Sequence, residues 1–112
     1  MLIDFKNIKQ DKLEHFKGGK GAMLAKMFVD GKNKILLAQL EPGNNVGYHK
    51  HEMNSEIVYV LSGIATIKYD NCPNEILHPG EVHYCPQGHS HAVCNEGKEV
   101  LNFFAVVPEH HQ

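Results

Sequence analysis

Residues 43–63 of the chain read GNNVGYHKHEMNSEIVYVLSG and combine two closely spaced histidines with a glutamate and an apolar run. His49 and His51 are two residues apart, so in an extended strand their side chains leave from the same face, about 7 Å apart. Glu56 opens the apolar run EIVYVLSG, which has the length and composition of a β-strand. This spacing permits two imidazoles and one carboxylate to converge on a metal ion, although spacing alone does not favour that interpretation.

A second stretch, residues 80–95, reads GEVHYCPQGHSHAVCN and supplies a further candidate ligand. His91 follows a turn marked by Pro86 and Gly88, so a third imidazole can enter the site from a neighbouring strand. Three neutral imidazoles and one carboxylate suit Mn, Fe, Co, Ni, Cu or Zn better than Ca or Mg, which prefer oxygen. Four protein ligands in an octahedral site would leave positions open for water or substrate, as metal catalysis requires.

The rest of the chain also consists of short runs of strand length. From Ala22 onward, apolar runs such as AMLAKMFV and KILLAQL are separated by turn residues, and no segment keeps a helical period. The DGKN between these two runs predicts a hairpin. Strands at this regular spacing indicate a sandwich or a closed barrel. We therefore predict one β-barrel domain over residues 22–112, preceded by an N-terminal covering segment, residues 1–21, that packs a few apolar side chains.

Length, charge and cysteine content exclude several classes of protein. The 112 residues suit one domain, and a net charge of −2 with a pI near 6.5 gives no basic surface for nucleic acid. No apolar run approaches the length of a membrane span and the start lacks a signal-peptide pattern, so we expect a cytoplasmic protein that binds neither membrane nor nucleic acid. Three cysteines without a CxxC pair do not support a disulfide framework or a zinc ribbon.

The two quoted stretches resemble the two sequence motifs of the cupin superfamily. The first motif, a glycine, His-x-His, Glu and a closing glycine, is matched by Gly43, His49, His51, Glu56 and Gly63. The second, a glycine, Pro-x-Gly, His and Asn, is matched without a gap by Gly80, Pro86, Gly88, His91 and Asn95. The resemblance implies an all-β fold, a double-stranded β-helix or jelly-roll barrel. It also implies that the ligands of one divalent metal ion are His49, His51, Glu56 and His91.

The strand before Pro86 leaves two alternatives open. His83 and Cys85 share one face, and Val82 and Tyr84 share the other. If the first pair lines the barrel, an imidazole and a thiol lie near the metal as pocket candidates. The second alternative, which we favour, gives neither residue a role at the metal: Cys85 is buried and inert, and His83 lies at the surface or at an interface.

Gln39 and Asn102 interrupt two otherwise apolar strands, KILLAQL and EVLNFFAVV. Polar groups lining a pocket are one explanation, and outward-facing positions are the other. The sequence does not choose between them, so both residues remain pocket candidates.

The strand after Glu56 is apolar on both faces. Ile57, Tyr59 and Leu61 lie opposite the inward-facing residues, and an apolar exterior of this kind must be covered. The cover is either residues 1–21 or a second subunit. Because cupins often pair through such outer faces, the resemblance favours a homodimer.

The resemblance leaves two classes of function open. The first is a metalloenzyme of the isomerase or lyase type, or a dioxygenase, acting on a small oxygenated molecule, with Glu56 as both a metal ligand and a hydrogen-bond partner of the substrate. The second is a non-catalytic, metal-dependent domain that binds or senses a sugar or another small molecule. All eleven basic residues are lysines, so no guanidinium clamp is available, and we expect neutral or chelating substrates rather than phosphosugars or dicarboxylates.

Overall fold

The apolar runs of the sequence form ten β-strands in the computed structural model of the chain, which describes residues 1–110. The strands are β1 (Asp11–Glu14), β2 (Ala22–Val29), β3 (Asn33–Leu40), β4 (Asn45–Lys50), β5 (Glu56–Ser62), β6 (Ala65–Tyr69), β7 (Glu75–Leu77), β8 (Val82–Cys85), β9 (Ser90–Cys94) and β10 (Leu101–Pro108). The hairpin predicted at DGKN joins β2 to β3, and the Asp30 carboxylate accepts hydrogen bonds from the backbone N–H groups of Lys32 and Asn33.

The strands form two antiparallel sheets. The larger has the order β1-β2-β3-β10-β5-β8, and the smaller has the order β4-β9-β6-β7. Strand β10 holds the larger sheet together because it pairs with β3 over its whole length and with β5 on its other side. The architecture agrees with the predicted all-β double-stranded β-helix.

The hydrophobic core follows the two-residue period of the strands. In β10 every second side chain, beginning with Leu101 and Phe103, is buried, and the residues between them are half exposed. In β5 the inward-facing Val58 and Val60 are fully buried, as their parity with Glu56 predicts. The same parity therefore directs the Glu56 side chain toward the interior of the barrel.

The N-terminal segment both covers the barrel and extends it. Residues 11–14 form β1 and pair with β2, while 3-10 turns occupy Phe5–Asn7 and Phe16–Gly18. Leu13 and Phe16 pack against the core. The last two residues of the predicted domain, 111 and 112, lie outside the described part of the chain. Within residues 1–110, the structure contains no helix of the length and apolar character needed to cross a membrane.

Candidate metal centre

The four predicted metal ligands come from both sheets. His49 lies on β4 directly opposite His91 on β9, and Glu56 begins β5 of the larger sheet. His51 follows the end of β4, where its backbone N–H donates to the carbonyl of His89 and so extends the pairing with the chain before β9. The register of β4 shifts between Val46 and His49, and a shift of this kind re-aims the side chains that follow it.

The donor atoms of these residues lie close together. His51 Nε2 is 3.1 Å from His49 Nε2, 3.0 Å from His91 Nε2 and 3.1 Å from Glu56 Oε1, and His91 Nε2 is 3.0 Å from Glu56 Oε1. With bonds of about 2.1 Å, adjacent ligands of an octahedron lie about 3.0 Å apart, whereas those of a tetrahedron lie about 3.4 Å apart. The donor set therefore fits an octahedral ion, and all four atoms lie within 4.8 Å of one another.

Hydrogen bonds outside the cluster fix how two of the imidazoles face it. The Nδ1 atom of His49 is 2.7 Å from the Gly47 carbonyl oxygen, and the Nδ1 atom of His51 is 2.5 Å from Asn54 Oδ1. Each oxygen accepts from an Nδ1–H group, so the Nε2 lone pair of each ring is left facing the cluster. This tautomer is the one that a metal ligand needs.

The electrostatics of the cluster favour an ionised Glu56 carboxylate. Burial opposes ionisation of Glu56, but the neighbouring imidazoles of His51 and His91 lower its pKa to about 2. Burial lowers the pKa of His49 below its usual value. For His51, burial acts in the same direction, but hydrogen bonds to Glu56 and Asn54 raise its pKa overall. A carboxylate oxygen and three imidazole nitrogens form a donor set that suits a divalent cation, whose binding displaces any proton held at those nitrogens.

The structure corrects the favoured interpretation of His83. Both His83 and Cys85 lie on the inner face of β8, where their exposed fractions are 1% and 0%. His83 is therefore not a surface residue, and its Nε2 lies 3.0 Å from His91 Nδ1. Burial raises the pKa of the Cys85 thiol to about 12, which keeps the sulfur protonated and agrees with an inert core cysteine.

Gln39 and Asn102 face outward, so their interpretation as pocket residues is wrong. Gln39 alternates with the fully buried Ala38 and Leu40 on β3, and the opposite face of that strand is the exterior of the barrel. Its Nε2 donates to Asn102 Oδ1 at 2.8 Å across the paired strands. The two side chains satisfy each other and stand apart from the donor cluster.

A cavity of about 490 Å³ leads to the donor cluster. His49, His51 and Glu56 line it together with a wall of apolar side chains, which are Leu13, Phe16, Met23, Met27, Val29, Leu36, Val46, Met53, Val93, Phe103 and Val107. Its other polar lining residues are Lys17, Lys34, Lys50, Glu52 and Asn54. No local pattern selects Lys17, because its position depends on how the turn at Phe16–Gly18 packs against β4.

Comparisons with known proteins show the family and the fold of the chain. A family model described as Cupin domain matches residues 36–107. An oxalate-binding protein of Thermotoga maritima is 32% identical over 96% of this chain and 93% of its own length. The crystal structure of a predicted oxalate decarboxylase from the same organism superposes with a TM-score of 0.88 at 29% identity, covering 97% of this chain and 99% of that one. A putative sugar phosphate isomerase from Acidithiobacillus ferrooxidans has a TM-score of 0.66 at 29% identity, covering 77% and 60%.

Proposed function

Because the chain belongs to the cupin family, we propose that it holds one divalent transition-metal ion and binds a small chelating ligand at the ion's open positions. The ligands of the ion are His49, His51, Glu56 and His91. The observation that carries the proposal is the cavity, which ends at donor atoms already spaced for an octahedral ion. When bound, the ion supplies a Lewis acid that attracts and polarises ligand oxygens.

The chemistry of the cavity supports a small dicarboxylate as the ligand, with oxalate as the first candidate. The relative named for oxalate binding motivates this choice, which departs from the expectation drawn from the missing arginines. Lys17, Lys34 and Lys50 line the cavity, and ammonium groups together with a metal ion can balance a dianion without a guanidinium. The apolar wall excludes water, which strengthens these attractions.

Oxalate is expected to bind only to the metal-loaded protein. We expect calorimetry to show one site per chain for oxalate with a Mn²⁺-, Co²⁺- or Ni²⁺-loaded sample, and none after chelation. Acetate, which cannot chelate through two carboxylates, should bind at least about tenfold more weakly. The assignment of oxalate as the ligand would be refuted if oxalate still bound after removal of the metal. It would also be refuted if no metal-loaded form bound oxalate.

A matched pair of variants tests the contribution of one of these lysines, Lys17. Lys17→Met removes the charge of a residue that lines the cavity, whereas Lys20→Met removes the charge of an exposed residue nearby that does not line it. Losing a charge-assisted contact should weaken oxalate binding about tenfold in the first variant. The second variant should match the wild type, and equal affinities for both variants would remove Lys17 from the site.

Turnover of the bound ligand is a second candidate, supported by the neighbour named as a predicted oxalate decarboxylase. Such a lyase breaks the carbon–carbon bond of oxalate, releases carbon dioxide and places a proton on the remaining carbon to give formate. Glu56 would then be both a metal ligand and a partner of the substrate, and the exposed Glu52, which lines the cavity, could exchange that proton with solvent. Carbon-13 NMR of the incubated mixture separates the candidates, because formate appears only if the protein is an enzyme.

We also propose that the chain forms a homodimer through the outer face of β5 and β8. The apolar side chains on this face are 39–55% exposed, and they are Ile57, Tyr59, Leu61, Val82 and Tyr84. Ile57 lies opposite Tyr84 in the paired strands, so the exposed groups form a continuous patch. Strand β8 is also the edge of the larger sheet, where an apolar exterior favours association.

Light scattering at micromolar concentration should therefore give the mass of two chains. Tyr84→Lys places a charge in the patch and should produce monomers. Ile76→Lys is the control, because Ile76 is equally exposed, at 52%, but lies on the smaller sheet. A monomeric wild-type protein, or a Tyr84→Lys variant that remains dimeric, would contradict this interface.

A further inference from the structure

A second buried imidazole lies behind the candidate ligand His91. His83 is 1% exposed, and its ring stacks on that of His91 with 5.2 Å between the centroids and 28° between the planes. His83 Nε2 is 3.0 Å from His91 Nδ1, and His83 Nδ1 is 2.7 Å from Glu75 Oε1. Glu75, His83 and His91 therefore form a continuous line of hydrogen bonds that leads from β7 to the donor cluster.

With Glu75 as a carboxylate and His83 as a neutral imidazole, one arrangement of protons completes the line. An ionised Glu75 carboxylate can only accept, so His83 Nδ1 must donate to it. A neutral His83 then accepts at Nε2, and His91 Nδ1 must be the donor. This leaves the Nε2 lone pair of His91 facing His51 and Glu56. Along the line itself, from His91 Nδ1 through His83 to Glu75 Oε1, each donor then meets an acceptor.

We propose that Glu75 and His83 form a positioning relay that orients His91 and strengthens it as a metal ligand. The inference rests on the proposed metal site. The other two histidines are held by neutral acceptors, the Gly47 carbonyl and the Asn54 amide oxygen, whereas the line behind His91 ends on a full negative charge. Hydrogen bonds polarised toward a carboxylate raise the donor strength of the ligating imidazole.

The same region admits a competing arrangement, a second metal ion. Donor atoms of His83, Cys85 and His91 lie within 4.8 Å of one another. An ion held by all three would require both the Cys85 thiol and His91 Nδ1 to lose protons, and it would replace the hydrogen bond between the imidazoles. The relay keeps these protons and the hydrogen bond between the imidazoles. It also gives Glu75 a role, whereas the three-residue metal group does not include Glu75. The two arrangements differ in the number of ions per chain.

The relay can be tested at Glu75 without disturbing the core, because its side chain is 41% exposed. Glu75→Gln keeps the shape of the side chain but removes its charge. We expect metal affinity, measured by competition with a chelator, to fall by about tenfold or more. The visible absorption of the Co²⁺-loaded protein should also shift, which a purely structural role of Glu75 would not cause. Thermal unfolding of the metal-free variant should match that of the wild type.

Glu81→Gln is the matched control, because Glu81 forms a similar pair with His78 at 3.1 Å on the exposed surface. This variant should keep the wild-type affinity and Co²⁺ spectrum. A Glu75→Gln variant that also keeps both would overturn the relay, and so would two ions per wild-type chain. Failure of the wild type to bind any metal would overturn the proposed function as well, so the two failures are distinguishable.

Discussion

Replacing His91 by alanine is expected to reduce the metal content of the protein from about one ion per chain to near zero. His91 Nε2 lies 3.0 Å from both His51 Nε2 and Glu56 Oε1, so its loss removes a central member of the donor set. Mutating a residue that only hydrogen-bonds to a metal ligand typically lowers metal affinity about 10–100-fold. Loss of a ligand itself should therefore lower metal affinity at least about 100-fold. Elemental analysis and chelator competition measure the effect.

The control for this prediction is His78→Ala, which removes an exposed imidazole paired with Glu81 outside the candidate centre. Its metal content should equal that of the wild type. His91 is fully buried, so circular dichroism must show that the His91→Ala variant remains folded. A folded His91→Ala protein that retains the metal affinity of the wild type would exclude His91 as a ligand.

Substituting Gly47 by alanine is expected to cause a large loss of stability. A Cβ atom at Gly47 would collide with the Lys17 carbonyl oxygen and would lie 2.7 Å from the Gly19 backbone nitrogen. Backbone atoms cannot move aside as side chains do, so the N-terminal turn must separate from β4. We expect a loss of about 3 kcal/mol in the free energy of unfolding, measured by urea denaturation.

The same substitution should also disturb the metal centre, because the Gly47 carbonyl is the hydrogen-bond acceptor that orients the His49 imidazole. Metal affinity should fall along with stability, and Lys17 should lose its place at the cavity. Gly31→Ala is the control, since no atom lies within 4 Å of a Cβ built there, and it should change both quantities little. Gly47→Ala with wild-type stability would show that the close approach of the two segments is not maintained in solution.

The fold was predictable because local sequence and global architecture agree in this chain. The strand β5 that follows the histidine pair was predicted at Glu56, and the structure begins it there. The alternation in β5 placed Val58 and Val60 in the core correctly. Turn signals such as DGKN fall where strands reverse. The motif residues anchored the assignment of the family, which periodicity alone could not have supplied.

The surroundings of the site were less predictable, for a physical reason. Strand parity pairs His83 with Cys85, but it does not say which face of β8 points inward, and only the packing of β8 against β5 decides this. The direction of Gln39 likewise depends on its partner strand. Lys17 lies at the cavity, and Glu75 contacts His83 behind the candidate metal ligand His91. Both positions depend on contacts between segments that are distant in sequence. No local pattern encodes such contacts.

The most direct test of the central claim is an anomalous-scattering map from crystals of the metal-loaded protein. We expect one strong peak per chain, about 2.0–2.3 Å from the Nε2 atoms of His49, His51 and His91 and from a carboxylate oxygen of Glu56. A peak held instead by His83 and Cys85, or no ordered metal among the four residues at full loading, would contradict it.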